Sequence, residues 1–149
     1  MQAELILELI DLLKQKFNQD LLAVVLFGSV VKGNFTTTSD IDVLVVCETL
    51  IKDWRARDKM TLELTEDIEL KYATSIHLNL VSKDEISHAI DSVSPLMLEI
   101  YEANQIIYEK DNFFTQLLNS FGRNLKSLHA IKIEKGVWKI SGLAVIESG

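Results

Sequence analysis

The stretch that most constrains this chain is Leu21-Leu22-Ala23-Val24-Val25-Leu26-Phe27, a continuous apolar run closed by Gly28-Ser29. Its length and valine content read as a strand, and with no polar position along it, as a strand covered on both faces. A polar loop from Lys32 to Ser39 leads to a second such strand, Ile41-Asp42-Val43-Leu44-Val45-Val46. Ahead of both, Leu5, Leu9, Leu12, Leu13 and Phe17 recur at helical spacing and predict a helix over about 3–18. Residues 52–72 read as a long polar helix with Trp54, Met60, Leu64, Ile68 and Tyr72 as its buried stripe. A third strand is expected at 75–82 and a short helix at 83–91. Pro95 after Ser94 suits the first turn of a helix over 95–103. A small edge strand at 105–109 and a helix at 112–130 follow, the latter carried by Phe114, Leu117, Leu118, Phe121, Leu125 and Leu128. Gly122 inside it is the position that argues locally against a helix. The tail, 131–149, alternates Ile131, Ile133, Val137 and Ile140, and reads as a strand pair or as a segment without fixed structure.

This order predicts an α+β (α/β-like) domain, a small mixed β-sheet flanked by helices. A length of 149 residues suits one domain; two would each be too small to bury a good core. The expected division is a core over about 1–92, a C-terminal helical extension over about 93–130, and the tail. With 15 basic and 22 acidic side chains the net charge is −7. An acidic surface argues against broad binding to duplex nucleic acid, whose affinity comes from neutralised phosphates. The charge is uneven: residues 1–121 carry 10 basic and 20 acidic groups, whereas 122–149 carry five and two. That basic end reads either as a site for an anionic ligand or as a solvated helix face. The single cysteine, Cys47, rules out an intrachain disulfide framework and any multi-cysteine zinc site. No targeting segment or membrane-spanning run is visible, so a soluble, cytoplasmic protein with no membrane partner is expected.

The chemistry is concentrated between the first two strands. Asp40 and Asp42, two apart at a strand start, point to one face, while Ile41 points to the other. Two carboxylates so placed repel each other unless a cation lies between them, and hard oxygen ligands at this spacing suit Mg²⁺ or Mn²⁺. Gly28 allows close backbone approach to a ligand, and the Ser29 hydroxyl and nearby N–H groups can donate to phosphate. Lys32 adds a cation and Gly33 a second permissive backbone position. Together these parts suit a nucleoside triphosphate with its metal. A Gly-Ser turn or an Asp-x-Asp pair alone is more often only a turn or a polar edge; the joint pattern is the specific one. It is not a Walker loop, since no Gly-Lys-Ser/Thr follows.

On these residues the chain resembles the DNA polymerase β-like nucleotidyltransferase superfamily, specifically its minimal nucleotidyltransferase (MNT) group. The family pattern is Gly-Ser, a basic residue, Gly, then Ser-Asp-x-Asp; here Gly28-Ser29, Lys32-Gly33 and Ser39-Asp40-Ile41-Asp42 stand in those places. Ser94-Pro95-Leu96-Met97-Leu98-Glu99-Ile100 through Ile107-Tyr108 also resembles the C-terminal part of small prokaryotic members. The likeness covers about 1–130 and is specific across 26–46. It implies the polymerase β-like fold with C-terminal helices, and transfer of a nucleoside monophosphate from an NTP, ATP foremost, with release of pyrophosphate. Asp40 and Asp42 would hold one or two divalent ions. Gly28, Ser29, Lys32, Gly33 and Ser39 would hold the nucleotide.

One departure from the family pattern stands out. Active members usually carry a third carboxylate on the strand after the long helix, whereas this strand reads Ile76-His77-Leu78-Asn79-Leu80. His77, on one face with Asn79, is the best match for that position, as base or metal ligand. The competing reading is a strand histidine satisfied by hydrogen bonds. Asp84 and Glu85 could substitute only if the strand ended early. The aromatic residues Trp54, Trp138, Phe113, Phe114 and Phe121 read as core rather than nucleobase platforms. Cys47 reads as a buried small hydrophobe, His88 and His129 as isolated, and Glu63, Glu66, Asp67 and Glu69 as a solvated face. Implied partners are the NTP and, by family habit, a HEPN-type helical protein in a toxin–antitoxin pair; a homo-oligomer stays open. A non-catalytic module that binds Mg–NTP or covers a partner is the alternative. An enzyme acting on RNA ends is a third, less favoured by the acidic body.

Overall fold

The computed structural model describes residues 2–36 and 38–128, with strand backbone at 131–134, 137–140 and 144–147. Helix α1 (Gln2–Phe17) leads into β1 (Leu21–Phe27), and a single helical turn, α2 (Ser29–Lys32), follows Gly28. Strand β2 (Ile41–Cys47), helix α3 (Trp54–Tyr72) and strand β3 (Ile76–Ser82) form a crossover unit. Then come α4 (Lys83–Asp91), α5 (Pro95–Glu102), β4 (Asn104–Glu109) and α6 (Phe113–Ser127). Local chemistry sets several of these boundaries. Ser82 and Glu85 form a reciprocal capping box at the start of α4, and the Ser94 hydroxyl accepts from Met97 N–H with Pro95 in the first helical position.

The sheet order is β3-β2-β1-β4. β1 runs antiparallel to both β2 and β4, and β2 runs parallel to β3. Every residue of β1 is buried, and the two faces of β1 and β2 feed separate cores. Val25, Phe27, Leu44 and Val46 pack with Ile86, Leu98, Phe114 and Phe121 from α4, α5 and α6. Val24, Leu26, Val43 and Val45 pack on the other side with Leu5, Leu9 and Leu13 of α1 and Ile68 of α3. Burying such a side chain contributes about 1.5–3 kcal/mol, so a strand buried on both sides is anchored twice. The α+β architecture with helices on both faces of a mixed sheet is thus as expected. The short strand expected at 105–109 is β4, at a sheet edge. Cys47 ends β2 fully buried, and burial pushes its thiol up to about 12, which makes it inert.

Some expectations need correction. Trp54 is not part of the buried stripe of α3: it is 68% exposed. Arg57 takes the buried place instead, at 4% exposure. Its guanidinium donates to Glu85 at 2.8 and 3.1 Å and to Ile51 O and Leu80 O, so the buried charge is both paired and hydrogen-bonded. Trp54 lies over that guanidinium from outside, 5.2 Å from ring centroid to Cζ. Glu69 is not wholly solvated, since its carboxylate accepts from Ile76 N–H at 2.9 Å. Helix α6 runs unbroken through Gly122, where a Cβ would lie 2.7 Å from the Tyr101 hydroxyl, and the Tyr101 ring packs edge-on against Phe121. Phe114 and Phe121 are core as expected. Among its described residues the tail holds three short strands rather than a pair, β5 (Ile131–Glu134), β6 (Val137–Ile140) and β7 (Ala144–Glu147), paired antiparallel in that order. His129 and the Trp138 side chain lie outside the described residues. No helix among the described residues is long and apolar enough to cross a membrane.

Burial would raise the Glu85 carboxyl, but the Ser82 backbone N–H and the Arg57 guanidinium outweigh it and hold it below its ordinary value of 4.5. A lowered value means that the charged form stabilises the fold above pH 4.5, and that this contribution is lost as the pH falls through the lowered value. Glu85→Gln should therefore cost stability at neutral pH, about 1 kcal/mol once solvent screening of a partly exposed carboxylate is allowed for. Thermal melts of the two proteins should converge in acid.

Candidate active site

Two registers bring the predicted residues to one end of the sheet. Antiparallel pairing sets Phe27, the last residue of β1, opposite Asp42. The turn after Phe27 therefore lies beside the start of β2. Parallel pairing of β2 with β3 sets Asp42 beside His77, and Phe27 pairs on its other side with Asn104 of β4. The row across the sheet is His77, Asp42, Phe27, Asn104.

Gly28 sits at φ +73° and caps α2. A Cβ built on it would fall 2.3 Å from Asp42 Oδ2, so only glycine lets this backbone lie against that carboxylate. The Gly28 carbonyl accepts from Val31 and Lys32 N–H, and the Ser29 carbonyl from Gly33 and Asn34 N–H. These bonds wind the chain into one turn, and the first N–H groups of such a turn have no intrahelical acceptor. On the facing side, Ile41 is buried and donates its N–H to Ser75 O at 2.9 Å. That fixes Asp40 and Asp42 on the opposite face.

Gly28, Ser29, Lys32, Ser39, Asp40 and Asp42 line one open cavity of about 460 Å³. Two residues outside the predicted set join them, Asn34 and Glu99. Gly33 and His77 do not line it. Gly33 closes α2 in the left-handed conformation, φ +83°. His77 is reached through Asp42: its Nδ1 lies 3.2 Å from Asp42 Oδ1, and its side chain is 63% exposed. Ser39 shares its hydroxyl with Thr36 Oγ1 and accepts from Thr36 N–H, at 3.0 Å each, so it orders the loop ahead of Asp40. Asn79 is committed to Val43 O at 3.3 Å. Strand β3 runs on to Ser82, which leaves Asp84 and Glu85 at the end of the sheet away from Asp42. Neither supplies the third acid that β3 lacks. Glu99 is an acid that sequence reasoning passed over; its Oε1 lies 4.0 Å from Lys32 Nζ. The signal was a lone carboxylate within the apolar run Leu96-Met97-Leu98-Glu99-Ile100.

Among the described residues no group of three or more His, Cys, Asp or Glu is placed to hold a metal ion by itself. Two aspartates at the mouth of a cavity whose facing turn can donate to phosphate still fit one class of ion. Mg²⁺ commonly takes one or two carboxylates and completes its octahedron with phosphate oxygens and water. The donor set matches that habit, with hard oxygens throughout.

The family model described as Polymerase beta, Nucleotidyltransferase matches residues 8–113, which spans every residue of this cavity. The chain belongs to the polymerase beta nucleotidyltransferase family. It is 33% identical over 137 residues, 91% of its length and 92% of the relative's, to a Methanocaldococcus jannaschii protein named "Putative protein adenylyltransferase MJ1305". Family membership makes it an enzyme of the nucleotidyltransferase class. Solved structures agree on the fold. A chain from a toxin–antitoxin crystal structure with AMP-PNP superposes with a TM-score of 0.52 at 19% identity, covering 80% of this chain and 88% of that one. A spectinomycin adenyltransferase from Enterococcus faecialis, crystallised with ATP and spectinomycin, gives 0.57 at 17% identity, covering 85% and 66%.

The two glycines of the turn should respond differently to alanine. Both have positive φ, but nothing lies within 4 Å of a Cβ at Gly33. Gly33→Ala should cost about 1 kcal/mol, from backbone strain alone. Gly28→Ala adds the collision with Asp42 and should cost more, about 2–3 kcal/mol. Chemical denaturation of both variants checks the order.

Proposed function

We propose that this chain transfers a nucleoside monophosphate from ATP to a hydroxyl group on a partner protein, with Asp40 and Asp42 holding Mg²⁺ or Mn²⁺ against the triphosphate. The observation that carries the reading is the convergence of these two carboxylates, the Gly28-Ser29 turn and Lys32 on one cavity. The divalent ion, when bound, would supply charge neutralisation of the phosphates. Everything else falls to the chain's own groups. The Ser29 hydroxyl and the first N–H groups of α2 would donate to the β- and γ-phosphate oxygens, with Lys32 assisting. That fixes the α-phosphorus in line with an acceptor, and in phosphoryl transfer such positioning carries most of the catalysis.

In the transfer itself, the acceptor oxygen forms a bond to the α-phosphorus while the bond from that phosphorus to the bridging oxygen breaks. The electron pair leaves with pyrophosphate, and the acceptor proton passes to a base. His77 is the candidate. Nδ1 lies 3.2 Å from the Asp42 carboxylate, so a neutral His77 that donated Nδ1–H to it would leave the Nε2 lone pair to take the proton. His77 lies on the β3 side of Asp42, away from the phosphate-binding turn, and its exposure leaves room for a large acceptor. A protein acceptor is supported by the name of the archaeal relative. A toxin–antitoxin partner is supported by the complex found among the fold neighbours; a HEPN-type protein is the specific case that the family resemblance implies.

A second reading has one observation in its favour: β3 carries no acid at the His77 or Asn79 position. On that reading the chain binds Mg–ATP without transferring it. Calorimetric titration with ATP tests the shared part. Binding should require Mg²⁺, and Asp42→Asn, which keeps the side chain's shape, should weaken it by at least about tenfold. Unchanged Mg–ATP binding by that variant would contradict the carboxylate assignment. Kinetics of His77→Ala separate the two readings. A base predicts kcat lower by about a hundredfold with KM retained, whereas an unchanged rate assigns the histidine a structural role.

A further inference from the structure

Glu99 is a carboxylate facing the cavity from a different element than Asp40 and Asp42. Helix α5 is pinned at its start by the Ser94 cap, and Met97, Leu98 and Ile100 are fully buried. This fixes Glu99 between buried neighbours, with its side chain 18% exposed beside Lys32 at 21%. The side on which it lies decides its role. Lys32 belongs to α2, which follows β1, so Glu99 stands on the phosphate side of Asp42, while His77 stands on the β3 side. Glu99 is therefore badly placed to replace the missing acceptor-side acid and well placed to act on the triphosphate.

Its action there is electrostatic. Asp40, Asp42 and Glu99 face the cavity against Lys32, the one cation among the described residues lining it. Without a metal ion the lining is net −2, from three carboxylates and one ammonium. That ammonium is already opposed by Glu99. A bare triphosphate, itself multiply anionic, meets a repulsive cavity whose one favourable group is occupied. A divalent cation at Asp40 and Asp42 cancels the −2. Lys32 can then exchange partners at little cost, because 4.0 Å is an ion-pair distance without a hydrogen bond to break.

We propose that Glu99 is a specificity-determining residue that restricts this site to metal-bound triphosphates: it repels the metal-free nucleotide and offsets the charge of Lys32, the lining's one cation among the described residues. The inference rests on the nucleotide site proposed above. The test is calorimetry on the full chain with ATP and with inorganic triphosphate, each in excess Mg²⁺ and in EDTA. Three proteins are compared: the parent, Glu99→Gln and Glu99→Asp.

The parent should bind with Mg²⁺ and only feebly in EDTA. Glu99→Gln should tighten the EDTA affinity for both ligands by about tenfold at low ionic strength, and salt should erode the gain. Its Mg–ATP affinity should change less than about threefold, and Glu99→Asp, which keeps the charge, should behave like the parent. Equal shifts with and without Mg²⁺, or no shift, would overturn the inference while leaving the site intact. So would a loss confined to Mg–ATP, which would make Glu99 a direct ligand instead. Failure of the parent to bind Mg–ATP would remove the nucleotide site itself, and the role of Glu99 with it. That outcome is read on the parent alone and so is distinct from the others.

Discussion

The contact between the Gly28 backbone and the Asp42 carboxylate is what the rest of the site depends on. It exists because β1 and β2 pair in a register that sets Phe27 opposite Asp42, and because residue 28 has no side chain to fill the gap. A slip of one residue would turn Asp42 to the other face and send Val43 toward solvent. The slip would also drive the Asp42 carboxylate toward the apolar face packed on α1 and α3, where burying its charge is costly. The apolar packing that makes the fold stable is also what aims the carboxylates.

The same economy shows at the edges of the sheet. β3 contributes little to the cavity directly, but its parallel register places His77 against Asp42 and leaves the imidazole facing outward. β4 pairs with β1 and is fed by α5, so the helix carrying Glu99 is tied to the strand that precedes the Gly28 turn. Three elements distant in sequence thus meet at one end of β1 and β2. The other end of the sheet is devoted to structure. There the buried Arg57 is held by Glu85 and by two backbone carbonyls.

Much of this was legible in the sequence, for identifiable reasons. β1 and β2 announce themselves because burial on both faces leaves no polar position to confuse the pattern. Asp40 and Asp42 could be assigned to one face because strand alternation is strict, and Ser94-Pro95 marks its helix because cap and proline act locally. What the sequence concealed was long-range. Arg57 looks like any surface arginine until Glu85, Ile51 and Leu80 are brought around it, and Trp54 looks like core until that arginine takes the buried place. Glu99 is silent for the same reason, since only folding brings α5 beside Lys32. The pairing of His77 with Asp42 depends on the parallel register of β2 and β3, which composition does not encode.

The proposed function requires a single cation-dependent site shared by the Gly28 turn and the Asp40–Asp42 pair. Paramagnetic broadening of backbone amide signals by Mn²⁺, in the presence of a non-hydrolysable ATP analogue, locates that cation most directly. Broadening should begin at residues 28–33 and 40–42 and reach His77, while the amides around Glu85 stay sharp. Broadening centred on Asp84 and Glu85 would contradict that site.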